Sequence, residues 1–244
     1  MNYRLTLCYD GTRYNGWQKQ GNTPNTIQEK LETALEKICG EKVEIHGCGR
    51  TDAGVHAQGQ VCSFRTVSPK SEAEILSELR RYLPEDIGAI SLETADERFH
   101  ARLSCKEKTY VYRIWNSEAP NVFERKYMYA FPDSLNIPAM RTAAELFIGQ
   151  HDFAAFSSVK RSKKSTVRTI TKIEIQQNAG ELSIAVTGNG FLYNMVRILT
   201  GTLLEVGTGK RSADSIERAF ATGDRAAAGF TTPAKGLTLR EIQY

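Results

Sequence analysis

Residues 47–57 read Gly-Cys-Gly-Arg-Thr-Asp-Ala-Gly-Val-His-Ala and hold one carboxylate, Asp52, among small neighbours. Three glycines within residues 47–54 predict a loop, because glycine interrupts helices and strands. The small flanking residues leave the carboxylate open to a ligand, and Arg50 shares its face if the stretch is extended. An aspartate close to glycine commonly forms an Asx turn, so composition alone leaves a structural role for Asp52 as an alternative.

Short strands and helices are predicted on both sides of this loop. One predicted helix has Thr26 and Glu29 as a capping box and Gly40 after its end. A second lies between Ser71 and Pro84. Alternating apolar residues predict strands over residues 2–10, 43–45, 55–64 and 87–92.

The second half of the chain shows the same mixture of patterns. Strands are predicted over residues 110–115, on both sides of a turn at 178–180, and over 237–244. Helices are predicted after Asn136, over residues 193–206, and from a cap at Ser212 to residue 220.

The order of these elements favours an α+β fold, because strands and helices do not alternate as a parallel sheet requires. The sheets are expected to be mainly antiparallel and flanked by helices. The two halves look like copies of one α+β unit, which predicts domains over residues 1–104 and 105–244.

Composition narrows the class of protein. The chain has 244 residues, of which 41% are hydrophobic and 25% charged, as in globular proteins. No stretch approaches the ~18 apolar residues of a membrane span, and the N-terminus lacks the apolar segment of a secretion signal. The five cysteines include no CxxC pair, which favours reduced thiols over zinc or disulfides. A cytoplasmic protein without a membrane partner is expected.

Positive charge is concentrated in the second half. The net charge is +4, with 13 basic and 15 acidic residues over 1–105, and 19 basic and 13 acidic residues over 106–244. Residues 153–173 contain no acid and six basic residues, namely Lys160, Arg161, Lys163, Lys164, Arg168 and Lys172. Such a run is either a solvated loop or a contact for phosphates.

Nucleotide and metal motifs are incomplete. Gly47-Cys48-Gly49 begins like a dinucleotide-binding turn, but Asp52 replaces its third glycine. Gly209-Lys210 resembles the end of a phosphate loop, yet Arg211 stands at the Ser/Thr position. His46, Cys48, Asp52 and His56 match no common zinc spacing. These patterns predict neither a cofactor nor a metal.

Five blocks, spread in order over nearly the whole chain, resemble the TruA family of tRNA pseudouridine synthases. The Asp52 segment is the second of them. The blocks are Tyr9-Asp10-Gly11-Thr12 with Tyr14 and Gly16-Trp17-Gln18; Gly49-Arg50-Thr51-Asp52-Ala53-Gly54-Val55-His56-Ala57; Phe99-His100-Ala101-Arg102 with Lys108-Thr109-Tyr110-Val111-Tyr112; Asn189-Gly190-Phe191-Leu192-Tyr193-Asn194-Met195-Val196-Arg197; and Gly236-Leu237-Thr238-Leu239.

The resemblance implies a reaction and a substrate. Enzymes of this family isomerise uridine to pseudouridine in the anticodon stem-loop of tRNA, at positions 38, 39 and 40, without cofactor or metal. It also implies the pseudouridine synthase fold with an active-site cleft between the two units, and a homodimer that binds tRNA across both subunits.

The resemblance further implies three catalytic residues. Asp52 matches the catalytic aspartate, Arg197 the arginine that pairs with it, and Tyr110 the tyrosine that stacks on the target uracil. A carboxylate removed from water needs a nearby cation to stay ionised. The apolar residues around Arg197 agree with this role, because buried arginines are normally paired.

Other residues are expected to contact RNA. Arg50 matches an arginine that helps to extrude the nucleotide, and Thr51 and His56 flank the aspartate, with a structural role for His56 favoured. Trp17 is at least as consistent with packing as with RNA contact. The segment expected to bind the phosphate backbone contains Lys160, Arg161, Lys163 and Lys164.

Three other functions remain open at this point. They are an RNA-binding module without activity, a metal-dependent hydrolase using Asp52 with His46 and His56, and a pseudouridine synthase for another RNA. Intact Asp52, Tyr110 and Arg197 argue against the first.

Overall fold

A computed structural model describes residues 1–158 and 165–244. These residues form five α-helices and ten mostly antiparallel strands, which confirms the predicted α+β class. The strands are β1 (Asn2–Tyr9), β2 (Ile45–Gly47), β3 (His56–Arg65), β4 (Ile87–Thr94), β5 (Glu107–Trp115), β6 (Tyr129–Ala130), β7 (Gly149–Asp152), β8 (Val167–Asn178), β9 (Glu181–Gly188) and β10 (Leu237–Gln243). The helices are α1 (Ile27–Cys39), α2 (Glu72–Tyr82), α3 (Ile137–Glu145), α4 (Met195–Gly207) and α5 (Asp214–Thr222).

The chain divides into two compact units. Unit 1 contains Met1–Lys106 and Thr238–Tyr244, and unit 2 contains Glu107–Leu237. The expected domain boundary after residue 104 differs from this division by two residues. The C-terminal strand, expected in the second domain, belongs to unit 1 because Thr238 and Leu239 pair in parallel with His56 and Ala57 of β3.

In unit 1 the strands lie in the order β4-β1-β3-β10, with β2 paired to β3. The pairs β1–β4, β1–β3 and β2–β3 are antiparallel. The predicted apolar face of β1 is buried, and α1 adds a second buried stripe. The core includes Leu5, Leu7, Leu31, Leu35 and Phe64, each at most 1% exposed. Strand β2 ends at Gly47 and β3 begins at His56, so this core supports the predicted loop over residues 48–55.

The helix ends of unit 1 follow their sequence signals with one exception: at α1 only the Thr26 half of the predicted capping box forms. Thr26 accepts the backbone N–H of Glu29, and Gly40 ends α1 with a φ of 74°. The Glu29 carboxylate lies 2.8 Å from Lys19 Nζ. Ser71 and Glu74 form a complete capping box at α2, and the helix ends at Tyr82, so it lies between Ser71 and Pro84 as predicted.

In unit 2 the antiparallel strands lie in the order β5-β9-β8-β7, and β6 pairs in parallel with β5. The predicted hairpin turn joins β8 and β9. Helix α4 begins at Met195, two residues later than expected, because Asn194 has a left-handed φ of 62°. The predicted cap at Ser212 is wrong: Ala213 precedes α5, and Ser212 accepts the N–H of Ser215 through its backbone carbonyl.

None of the helices in residues 1–158 and 165–244 is long and apolar enough to cross a lipid bilayer.

Candidate active site

The loop between β2 and β3 presents Asp52 at a tight turn. Asp52 is partly buried, while its neighbours Arg50 and Ala53 are exposed. The N–H of Val55 donates to the Asp52 carbonyl at 3.1 Å, and Gly54 has a φ of 79°. A positive φ at the third position of a turn favours glycine. The glycine-rich stretch therefore forms the predicted loop, with its carboxylate near the apex.

Backbone hydrogen bonds hold both sides of this turn. The N–H of Trp17 donates to the Thr51 carbonyl at 2.9 Å, and the N–H of Gly54 donates to the Tyr14 carbonyl at 3.4 Å. Gly16 lies so close that a Cβ there would be 2.6 Å from the Thr51 carbonyl oxygen. Residues 14–17, which follow β1, therefore support the loop through backbone contacts.

A buried polar network supports the residue before Asp52. Thr51 is 5% exposed, and its hydroxyl lies 2.8 Å from the Tyr9 hydroxyl. Gln60 donates from Nε2 to the Gly49 carbonyl at 2.9 Å and to the Tyr9 hydroxyl at 3.4 Å. Burial raises the pKa of Tyr9 to about 12, so the phenol is neutral at physiological pH. A phenol that accepts from Gln60 has its proton available for Thr51.

His56 follows the loop as the first residue of β3, and its side chain is buried. It is 3% exposed, and its Nδ1 accepts the N–H of Gly11 at 3.1 Å and lies 3.2 Å from Asp10 Oδ1. A Cβ on Gly11 would be 2.0 Å from the Val55 carbonyl oxygen. Because Thr51 and His56 are buried, both help to shape the loop. Their burial does not favour the predicted contact with RNA.

Trp17 is a packing residue. It is 2% exposed, its ring centroid lies 6.2 Å from that of Tyr9, and a Cβ on Gly47 would be 2.5 Å from the indole. Of the two roles considered for Trp17, the structure supports the packing anchor.

In unit 2, β5 carries the two tyrosines of the central block. Tyr110 is 7% exposed and makes an edge-to-face contact with Phe191, with centroids 5.3 Å apart. Tyr112 is fully buried, donates to the Pro233 carbonyl at 2.7 Å and has a raised pKa because of its burial. Tyr112 is thus a core residue of unit 2.

Arg197, on the first turn of α4, is partly buried and held at two atoms. Its Nε donates to the Thr232 carbonyl at 2.7 Å, and its Nη1 donates to Asn194 Oδ1 at 2.7 Å. Thr232 in turn donates to the Arg197 carbonyl from its hydroxyl at 3.0 Å. Thr232 and Asn194 were not predicted from the sequence as partners of Arg197. Asn194 lies inside a block that resembles the family. The sequence gives no sign that its side chain binds Arg197, because that contact depends on the backbone conformation of Asn194.

Lys160, Arg161, Lys163 and Lys164 lie outside the described residues. Within the part of the chain that is described, no group of three His, Cys, Asp or Glu side chains is arranged to hold a metal ion. The metal-dependent hydrolase therefore lacks a ligand set there. His46, one of its candidate ligands, stacks on His100 with ring centroids 5.0 Å apart.

Sequence comparison places this site among known proteins. Residues 7–104 and 143–244 match the family model described as tRNA pseudouridine synthase. A protein named tRNA pseudouridine synthase A from Bacillus sp. (strain KSM-64) is 47% identical over 243 residues, covering 100% of this chain and 99% of that protein. The protein named tRNA pseudouridine synthase A 1 from Clostridium tetani (strain Massachusetts / E88) is 50% identical with the same coverage. The protein named tRNA pseudouridine synthase A 2 from Clostridium perfringens (strain 13 / Type A) is 44% identical, again with the same coverage.

Proposed function

Because this chain belongs to the TruA family of tRNA pseudouridine synthases and is an isomerase that forms pseudouridine in tRNA, we propose that its targets are uridines 38, 39 and 40 of the anticodon stem-loop. We propose a homodimer in the cytoplasm as the working form. The five sequence blocks that resemble this family support both statements.

The reaction breaks the N1–C1′ bond of uridine, turns the uracil and forms a C5–C1′ bond. The C5 proton leaves and N1 gains a proton, so the reaction is redox-neutral and consumes no co-substrate. In our proposal Asp52 is the catalytic carboxylate, acting at the sugar or at the base in its ionised form.

The observation that carries this proposal is the rigid support of Asp52. Its turn is held by backbone bonds from Trp17 and Gly54, and the adjacent Thr51 is fixed by the Tyr9 hydroxyl. A reacting group held in place before the substrate arrives loses little freedom in the transition state. A simple Asx turn on the surface does not require such support.

Two side chains of unit 2 complete the proposed chemistry. In this proposal Arg197 is the cation of the reaction, by its match to the family arginine that pairs with the catalytic aspartate. Tyr110 supplies an aromatic face for the uracil, and its strand and Phe191 restrict the ring. These roles follow the match of each residue to the family blocks.

Basic residues are proposed to bind and open the tRNA. Arg50 is exposed beside the Asp52 turn, where a guanidinium is able to fill the stack that an extruded base leaves. Lys160, Arg161, Lys163 and Lys164 are proposed to contact phosphates without reading sequence.

The test is tritium release from tRNA labelled at uridine C5, with EDTA present. Transcripts that keep uridine at only one of positions 38, 39 and 40 should each release tritium, and a transcript lacking all three should release none. Release from the last transcript would indicate another RNA target. Asp52→Asn should abolish release while the dissociation constant for tRNA changes less than twofold. Parallel loss of binding would instead give Asp52 a folding or docking role.

A further inference from the structure

Asn194 has an unusual backbone conformation for its place in the fold. Among the described residues that are not glycine, only Asn194 and Ala179 have positive φ, at 62° and 45°. Ala179 lies in the hairpin turn between β8 and β9, where such values are common. Asn194 immediately precedes a helix, where the backbone is ordinarily extended. The N–H of Met195 donates to the Leu192 carbonyl at 3.0 Å, so Asn194 is the third residue of a turn that leads into α4, a position where asparagine accepts a positive φ.

The Asn194 side chain is also unusual, because it makes no cap hydrogen bond to α4. An asparagine at this position normally accepts the backbone N–H of the second or third helical residue. Here the third residue is Arg197, and Oδ1 accepts from its side-chain Nη1 at 2.7 Å instead. Nδ2 donates to the Ser158 hydroxyl at 3.0 Å, which fixes the other end of the amide.

Thr232 holds the guanidinium from a second direction. Its carbonyl accepts from Arg197 Nε at 2.7 Å, and its own N–H and hydroxyl donate to the Arg197 carbonyl. The two side-chain bonds use two of the five guanidinium N–H donors. Contacts at Nε and Nη1 define the plane of the guanidinium. The contact at Nη1 comes from the Asn194 side chain, and the contact at Nε comes from the Thr232 backbone.

We propose that Asn194 is a positioning residue for pseudouridine formation. Its left-handed backbone directs the amide to Arg197 in place of the helix end, so that the guanidinium is held in one orientation. This inference rests on the proposed role of Arg197 in the reaction.

The test replaces Asn194 with glycine, which accepts the left-handed backbone and removes only the amide. We expect kcat for tritium release to fall at least tenfold, KM for tRNA to stay within twofold and the thermal midpoint to stay equal or rise. Ala179→Gly is the matched control, since it relieves the same backbone conformation far along the chain from Arg197. It should leave kcat unchanged. A lower midpoint with unchanged kcat in Asn194→Gly would give Asn194 a structural role and overturn the inference.

A double-mutant cycle separates this inference from the proposal on which it rests. In an Arg197→Lys background, Asn194→Gly should lower kcat less than twofold further, because the oriented fork is already absent. Independent, multiplying losses would overturn the positioning role. If Arg197→Gln, which removes the charge, keeps wild-type kcat, the proposed role of Arg197 fails. If Arg197→Lys keeps wild-type kcat, the oriented fork is not required and the inference about Asn194 fails. If Arg197→Lys loses activity while Asn194→Gly does not, only the inference about Asn194 fails.

Discussion

The loop of Asp52, the proposed catalytic carboxylate, is supported by buried residues that do not need to touch RNA. Thr51 precedes Asp52, yet its hydroxyl points into the core toward Tyr9, and Gln60 joins Tyr9 to the Gly49 carbonyl. Hydrogen bonds in such a buried network rigidify the groups they join, and a half-satisfied network is destabilising. The orientation of the loop is therefore set by the buried polar network of unit 1.

Thr51→Val should separate this support from simple packing. Valine keeps the shape of threonine but leaves the buried Tyr9 hydroxyl with one partner fewer. We expect a loss of about 1–2 kcal/mol in unfolding free energy and a fall in kcat with little change in KM for tRNA. Thr51→Ser, which retains the hydroxyl, should recover most of kcat. Equal kcat for the valine and serine variants would contradict a role for this hydroxyl in the reaction.

At this scale the sequence predicted the loop around Asp52 better than the directions of the side chains in it. The position of Asp52 in a loop followed directly from three nearby glycines. The inward direction of Thr51 did not, since one residue in an irregular loop has no periodicity to fix its face. Asn194 was missed for a related reason, because a left-handed backbone is encoded by tertiary contacts as well as by residue type.

At the level of elements, helix ends were predicted best where short polar signals decide them. Both α1 and α2 begin at their predicted caps, and Pro84 follows α2. The start of α5 was wrong because Ala213 takes the position assigned to Ser212. The register of β10 with β3 was not predicted at all, since pairing between residues 56 and 238 leaves no local pattern.

The complete capping box of α2 gives a stability prediction. Ser71 accepts the N–H of Glu74, and the Glu74 carboxylate accepts from the Ser71 backbone at 2.7 Å. Ser71→Ala should lower the unfolding free energy by about 1 kcal/mol, measured by urea denaturation. Because α2 is distant in sequence from the candidate site, kcat should not change. Ser68→Ala, in the loop before the helix, is the control and should have a smaller effect on stability.

The acid sensitivity of α2 follows from Glu72. Hydrogen bonds from the Thr94 side chain and backbone lower the pKa of Glu72 below its ordinary 4.5. A carboxylate whose pKa is lower in the folded state stabilises the fold above its unfolded pKa, and this contribution disappears as pH falls through the folded value. Glu72→Gln should therefore be less stable than wild type at pH 7, and the difference in urea midpoint should shrink as pH falls through the lowered pKa of Glu72. A difference that stays constant as pH is lowered would show that charge is not involved.

For the whole molecule, charge distribution gives a prediction about tRNA binding. The net charge of +4 arises from an excess of six positive charges over residues 106–244, and four of the basic residues lie within 160–164. Each phosphate contact releases counterions, and it adds roughly 0.7–0.9 to the slope of log K against log salt. Replacing Lys160, Arg161, Lys163 and Lys164 by glutamine should therefore weaken tRNA binding and reduce the slope by about 3. Replacing Lys30, Lys37, Lys42 and Lys126 changes the net charge equally and is the matched control. Equal slopes for the two variants would show that residues 160–164 contribute only their charge. A smaller slope in the first variant alone would show that these residues bind phosphates.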